Sequence, residues 1–394
     1  MTFISDNLKT FEKCLKPYMS TKDYYNILPI LNRKCYYNMS YGEKSNGKST
    51  AWEMVGCVLN AKFSKNMVLV RQHDIHFRKG NAERMFDGVP KQFIIDITGG
   101  AYDHIVYYRY AWYFAKEEYN KQGEIEYKKK DKPIAIRQAV SDKVSSVQFP
   151  DTELIFFDEF ITRAGNYENE FVDFQTLVST IVRKRDTVTI AMAGNTINKY
   201  SIYFIEYGLD NVPTQKQGTI DIYEYEFKDT DTGENKKLNF AVEYCDNVSG
   251  KKSNIYQSFK NSKLQMITTG EWAIPVYPHL PVKYLPKHVL FKYYILFDKK
   301  QPLQCDIVSI DGQIFTYIKR EIESTINFDT DIIYIPKVDS RPNISPKINN
   351  PIFDFQKKIW WFFVSFKVFY QDNGVGEVVN QYLTWCDTMK IKKA

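Results

Sequence analysis

Cysteine is sparse in this chain of 394 residues: Cys14, Cys35, Cys57, Cys245, Cys305 and Cys386 are scattered, with no CxxC pair among them. That absence argues against a structural zinc site and against a disulfide framework, and predicts reduced, mostly buried thiols. Histidine is as rare, with five in all, so His73 and His76 lack further histidines nearby and read as surface or supporting residues, not metal ligands. The longest apolar run, Ile359 to Phe366, falls far short of the roughly 20 residues that cross a bilayer. The opening residues, Met1 to Asp6, lack the basic and apolar segments of a signal peptide, so export is not expected. Internal repeats and long low-complexity tracts are missing too. A formal charge of +6 permits contact with nucleic acid without requiring it.

What the chain does have begins at Gly42-Glu43-Lys44-Ser45-Asn46-Gly47-Lys48-Ser49-Thr50, a full GxxxxGK(S/T) phosphate-binding loop. Such a loop wraps backbone N–H groups around phosphates, places a lysine on the terminal ones and holds Mg²⁺ through its Ser or Thr hydroxyl. The context fits: Cys35 to Met39 reads as an incoming strand, and Met54, Val55, Val58 and Leu59 are spaced as on a helix that begins near Lys48. Phosphates would then sit at a helix N-terminus.

Leu154-Ile155-Phe156-Phe157-Asp158-Glu159 reads as a buried central strand of a parallel sheet, ending in two acids where ligands collect in open α/β sheets. Asp158 is assigned to the Mg²⁺ shell and Glu159 to the water that attacks the γ-phosphate. A further buried strand, Thr187 to Ala193, ends in Gly194-Asn195-Thr196. Asn195 at its tip is suited to sensing the γ-phosphate, although Gly-Asn is also ordinary turn chemistry. Between these strands an amphipathic helix, Phe171 to Arg185, ends in Arg183-Lys184-Arg185. Either Arg183 or Arg185 is a candidate arginine finger for a neighbouring subunit's nucleotide; the plainer reading is helix capping.

The order GxKxxGKS, a strand ending in Val70-Arg71-Gln72, Phe149-Pro150-Asp151 before LIFFDEF, and AGNTIN resembles the genome-packaging ATPases of small tailed phages. These are phi twenty-nine-like relatives of terminase large subunits, and the resemblance covers roughly the first half of the chain. It implies an α/β P-loop NTPase of the ASCE type, with a mostly parallel sheet flanked by helices. It also implies a homo-oligomeric ring, pentameric in that group, that docks on the portal of an empty procapsid and uses ATP and Mg²⁺ to drive double-stranded DNA inward. A packaging RNA assists in some members. Action in the host cytoplasm, transiently on the portal and absent from the mature virion, follows from the same likeness. By it Lys48, Ser49, Asp158 and Glu159 take the loop, magnesium and base roles, and Asn195 falls on the coupling motif. Lys44 stands where the family usually has a basic residue, often arginine; lysine brings a point charge without the planar fork.

Gly123 to Arg137 reads as two short strands flanking a basic loop of Lys128, Lys129 and Lys130, either a solvated tip or a DNA-backbone contact. Three domains are expected: an ATPase domain over 1–207, a linker or lid over 208–258 built on a hairpin around Asp231-Thr232-Gly233, and a C-terminal domain over 259–394. The resemblance makes the last an α+β RNase H-like fold. Asp298 and Asp331 lie near strand ends there, but they do not make the carboxylate cluster that two-metal hydrolysis needs. A vestigial nuclease serving as a docking module is therefore expected, with the Trp360-Trp361-Phe362-Phe363 run as core or, if exposed, as a docking patch.

Overall fold

A computed structural model describes residues 1–19, 25–44, 46–142, 148–161, 169–183, 185–196, 201–212, 214–228, 233–246, 277–280, 284–297, 302–337 and 339–388. Internal contacts divide the chain into two units, Met1–Thr162 with Asn169–Ala273, and Ile274–Ala394 with Arg163–Glu168.

The first unit is built on one large sheet. Its strands are β1 (Tyr37–Gly42), β2 (Asn66–Arg71), β3 (His104–Tyr108), β4 (Ala111–Tyr119), β5 (Ile125–Lys129), β6 (Ala135–Ala139), β7 (Thr152–Asp158), β8 (Thr189–Asn195), β9 (Thr219–Lys228) and β10 (Asn235–Tyr244). The order is β3-β4-β6-β2-β7-β8-β1-β10-β9, with β5 hydrogen-bonded to β4. From β6 to β10 every neighbouring pair is parallel, and the antiparallel strands lie at the two edges. One strand, β8, separates the loop-bearing β1 from the acid-bearing β7, the arrangement of an ASCE-type P-loop NTPase.

Alternation along β7 explains why the sheet is covered on both faces. The helices of this unit are α1 (Phe3–Asp6), α2 (Leu8–Met19), α3 (Leu28–Leu31), α4 (Lys48–Phe63), α5 (Lys79–Arg84), α6 (Lys91–Thr98), α7 (Glu170–Val182) and α8 (Ile202–Glu206). Phe156 turns toward α4, where Trp52 stacks on it at 6.2 Å between centroids. Phe157 turns the other way and meets Phe174 of α7 (Glu170–Val182) at 4.8 Å and Tyr203 of α8 (Ile202–Glu206) at 5.5 Å. Helix α4 is buried almost all round, as expected of an apolar helix held between the sheet and other helices. The hairpin anticipated as a separate linker pairs instead into this sheet: β10 runs parallel to β1, from Tyr37 opposite Phe240 to Tyr41 opposite Tyr244. Its turn residues Asp231 and Thr232 lie outside the described residues.

The second unit carries β11 (Val289–Ile295), β12 (Leu303–Ile310), β13 (Gln313–Lys319), β14 (Ile332–Tyr334), β15 (Ile344–Ser345) and β16 (Val368–Tyr370), in the order β15-β14-β11-β12-β13-β16. Strands β11 to β13 form an antiparallel meander and β14 joins β11 in parallel, an RNase H-like sheet. Asp311-Gly312 forms the two-residue turn between β12 and β13, with φ of 49° and 76°, the positive pair a type I′ hairpin requires. Helices Asp354–Val364 and Asn373–Thr388 close one core, supplying Ile359, Phe362, Val375, Val379 and Tyr382.

Candidate active site

Three parallel strand tips converge on one open cleft of about 280 Å³. It is lined by Lys44, Asn46, Gly47, Lys48, Ser49 and Thr50 from the loop, Asp158 and Glu159 from β7, and Ala193, Gly194 and Asn195 from β8. Gly42 and Asn195 are register partners across β1 and β8, so the amide is fixed beside the start of the loop. Ser45 lies outside the described residues.

Helix α4 begins at Lys48 from an N-cap at Gly47, whose φ of 95° belongs to the left-handed region that glycine enters without strain. Lys48 is buried, and its Nζ donates to the Glu43 carbonyl oxygen at 2.6 Å and to Asn46 Oδ1 at 3.1 Å. Burial lowers its pKa, against the opposing pull of Asp158 and other acidic groups around it. Gly194 is required by packing, since a Cβ there would lie 2.7 Å from the Phe160 ring.

Ser49 Oγ donates to Asp158 Oδ1 at 2.6 Å, joining the loop to the acid strand. A serine hydroxyl and a buried carboxylate held together are hard oxygen donors of the kind Mg²⁺ selects, so these residues fit that ion. Burial raises the Asp158 pKa, and the Arg71 guanidinium and the Ser49 bond pull it back. Glu159 stands just past the strand with φ of 56°, a left-handed conformation that is uncommon for glutamate, and its side chain is exposed.

Arg71, the last residue of β2, pairs with both acids: Nη2 lies 2.5 Å from Asp158 Oδ2, and Nη1 donates to Glu159 Oε2. Burial works against its charge, but the two carboxylates raise its pKa on balance. Arg71 carries no motif in the sequence, so its task was missed there. The available signal was its place at the tip of a strand that turns out to neighbour β7. Glu53 was missed as well. One helical turn after Ser49 and buried, its carboxyl is pushed well above the usual range by desolvation and by Asp158.

Two solved structures share this architecture. One, described as the Phi-28 gp11 DNA packaging motor, matches 95% of this chain and 100% of its own at 15% identity, with a TM-score of 0.52. The other, the bacteriophage Phi-29 viral genome packaging motor assembly, matches 92% of this chain and 99% of its own at 14% identity, with a TM-score of 0.54. The chain has the packaging-motor fold. No protein-family profile and no curated protein sequence matches it.

Within the packaging-motor fold the remaining sequence candidates part company. Arg185 is committed elsewhere: its guanidinium donates to the carbonyl oxygens of Phe149, Pro150, Thr152 and Ile181 at 2.5 to 3.1 Å, clamping the start of β7. That is the far end of the strand from Asp158, about 20 Å away at ~3.3 Å per residue. A guanidinium held by four carbonyls is poorly placed to serve as a finger. Arg183 ends α7 at the surface, its Nε donating to the Thr180 carbonyl oxygen at 3.2 Å.

The three lysines lie not on a loop but on and just after strand β5. Lys128 and Lys129 are exposed, and Lys129 sits 4.5 Å from the Tyr113 ring centroid. Lys130 turns inward, donating to the carbonyl oxygen of Asn60 at 3.0 Å and its Oδ1 at 2.9 Å. His73 and His76 pack ring against ring at 5.7 Å, and no cluster of three metal-ligating side chains occurs among the described residues. In the second unit Asp298 lies outside the described residues, and Asp331 accepts the Asn327 N–H at 2.8 Å, closing a turn. Ile359 and Phe362 of the aromatic run are buried; Trp361 and the nearby Val364 and Phe366 are exposed.

Proposed function

We propose that this chain is the ATPase of a viral DNA-packaging motor, coupling ATP hydrolysis to translocation of double-stranded DNA into a procapsid. The observation that carries the reading is the convergence of Lys48, Ser49, Asp158, Glu159 and Asn195 on one cleft, with Ser49 bonded to Asp158 at 2.6 Å. Similarity of fold to two packaging motors over nearly the whole chain supports the DNA and portal partners.

In this reading the loop from Gly42 to Thr50 takes the phosphates, with Lys48 on the terminal ones and Lys44 at the open rim. Ser49 and Asp158 hold Mg²⁺, which when bound neutralises charge on the phosphate oxygens. Glu159 Oε2 accepts the proton of the attacking water, and Asn195 orients that water and the γ-phosphate. In the described structure Arg71 occupies both acids, so Glu159 becomes a base only when Arg71 releases it. The first unit, whose sheet includes β9 and β10, acts as the motor core and the second unit as the docking domain, where exposed Trp361, Val364 and Phe366 offer an apolar patch to the portal. The chain works as a homo-oligomeric ring, a pentamer, in the host cytoplasm while seated on the portal. Arg183 is the finger offered to the neighbouring subunit.

The test is ATP turnover by the purified chain with and without long duplex DNA, followed by packaging into empty procapsids. Turnover stimulated by duplex supports the motor. Separation of a tailed duplex into single strands would point to a helicase instead.

A further inference from the structure

Beneath the phosphate loop lies a buried polar chain whose members Tyr25 and Glu243 take no part in the chemistry above. Tyr25 is 5% exposed, and its backbone N–H and its hydroxyl are both engaged. Its backbone N–H donates to the Asn46 carbonyl oxygen at 2.8 Å. Its hydroxyl donates to Glu243 Oε2 at 2.5 Å and lies 3.0 Å from Ser40 Oγ. Ser40 and Glu243 are register partners across β1 and β10, so the carboxylate is fixed by the same ladder that delivers the chain into the loop. On the loop side, Asn46 Oδ1 accepts from the Lys48 backbone N–H at 3.2 Å and from Lys48 Nζ at 3.1 Å. The path from β10 to the phosphate-binding lysine is continuous: Glu243, Tyr25, Asn46, Lys48.

Burying a phenol and a carboxyl group together is costly, and an apolar pair of the same shape would be easier to bury. We propose that Tyr25, held by Glu243, is a positioning residue for the phosphate loop, fixing Asn46 and through it Lys48 in the conformation that receives the nucleotide's phosphates. This deepens the nucleotide-binding reading of the loop and rests on it. Tyr25 works from below and is not a stacking surface for the base, because its ring is buried and its hydroxyl is already taken.

The titratable and charged groups facing Glu243 are Tyr25 before helix α3 (Leu28–Leu31), Arg33 after it, Lys48 on α4, and Cys245 just past β10. Burial pushes the Glu243 carboxyl up to about 7, against the Tyr25 bond, Lys48 and Arg33, which pull it down. Above that point the ionised group accepts a charge-assisted bond from Tyr25. Below it the bond joins two neutral groups and weakens.

The experiment is an equilibrium fluorescence titration of the full chain with ADP labelled on its ribose, in Mg²⁺, from about pH 6 to about pH 8. The wild type, Tyr25→Phe, Glu243→Gln and Lys48→Ala are compared, with thermal melting to establish that each is folded. Tyr25→Phe removes one oxygen and is expected to weaken binding about five- to tenfold near pH 8, the worth of one buried hydrogen bond. Its preference for adenine over guanine nucleotides stays that of the wild type. The ratio of Glu243→Gln to wild-type affinity is expected to change with a midpoint near 7; the nucleotide's own titration cancels in that ratio.

A folded Tyr25→Phe that binds as tightly as the wild type overturns the proposal, as does a ratio flat across this range. If Lys48→Ala alone loses binding, the loop reading stands and this inference falls. If the wild type binds no better than Lys48→Ala, both fall.

Discussion

Arg71 and Glu159 carry the tension of the site at the scale of single residues. Glu159 holds a left-handed backbone, a conformation that costs on the order of 1 kcal/mol or more, and its carboxylate is tied to Arg71. Arg71 also neutralises Asp158, which is buried. Replacing Arg71 with alanine leaves Asp158 uncompensated, so Arg71→Ala is expected to lose about 2–4 kcal/mol of stability without divalent metal. Mg²⁺ with nucleotide should restore part of that loss, because the ion then supplies the missing positive charge. Melting temperatures in chelator and in Mg²⁺ with nucleotide check this: an equal deficit in both conditions would mean that Arg71 is not standing in for the ion. The loop and the paired acids were legible because each is a local pattern with its own chemistry. Arg71 was not, because nothing in Val70-Arg71-Gln72 says that β2 lies beside β7.

Among the elements, the turn from β1 into α4 sets the geometry of the cleft. Gly47 has φ of 95°, where any Cβ is strained. Gly47→Ala is expected to cost about 1–2 kcal/mol and to weaken nucleotide affinity more than tenfold, with isothermal titration as the check. Strand β10 offers a second test, through pH. The Glu243 carboxyl is raised from 4.5 to about 7, so the folded state binds its proton more tightly than the unfolded state does. This group's contribution is therefore most favourable below about pH 4.5 and declines as pH rises toward 7, by on the order of 3 kcal/mol in all. Glu243→Gln lacks that decline, so its stability relative to the wild type should improve between about pH 5 and pH 8 in denaturant titrations. A constant difference would mean that Glu243 does not titrate as described. Strands β7 and β8 were visible as apolar runs and β1 from its place before the phosphate loop, whereas the place of β10 beside β1 was not. That pairing brings Tyr25 to Glu243 across 218 residues, and separation on that scale leaves no local trace.

For the whole molecule, two sheets of different construction follow one another along the chain, and the likeness to packaging motors spans both. The RNase H-like order of the second sheet could be expected only from resemblance, since the parallel addition of β14 beside β11 and of β16 beside β13 joins strands far apart in the chain. The proposed contact with DNA would be a property of the whole surface, and the exposed pair Lys128 and Lys129 on β5 is its most testable part. Replacing both with alanine should lower the salt slope of duplex binding by about 2, one counterion released per lost phosphate contact. Replacing Lys130 should destabilise the fold instead, because it holds Asn60 of α4. An unchanged slope for the double variant in an anisotropy series would place the DNA elsewhere.

Coupling of hydrolysis to duplex DNA is measured most directly as steady-state ATP turnover with and without long double-stranded DNA, for the wild type and Glu159→Gln. The expected result is turnover raised by duplex in the wild type and lowered about 10²-fold or more in Glu159→Gln, with ATP binding retained. Full turnover in Glu159→Gln, or wild-type turnover indifferent to duplex, would contradict a DNA-translocating ATPase that uses Glu159 as its base.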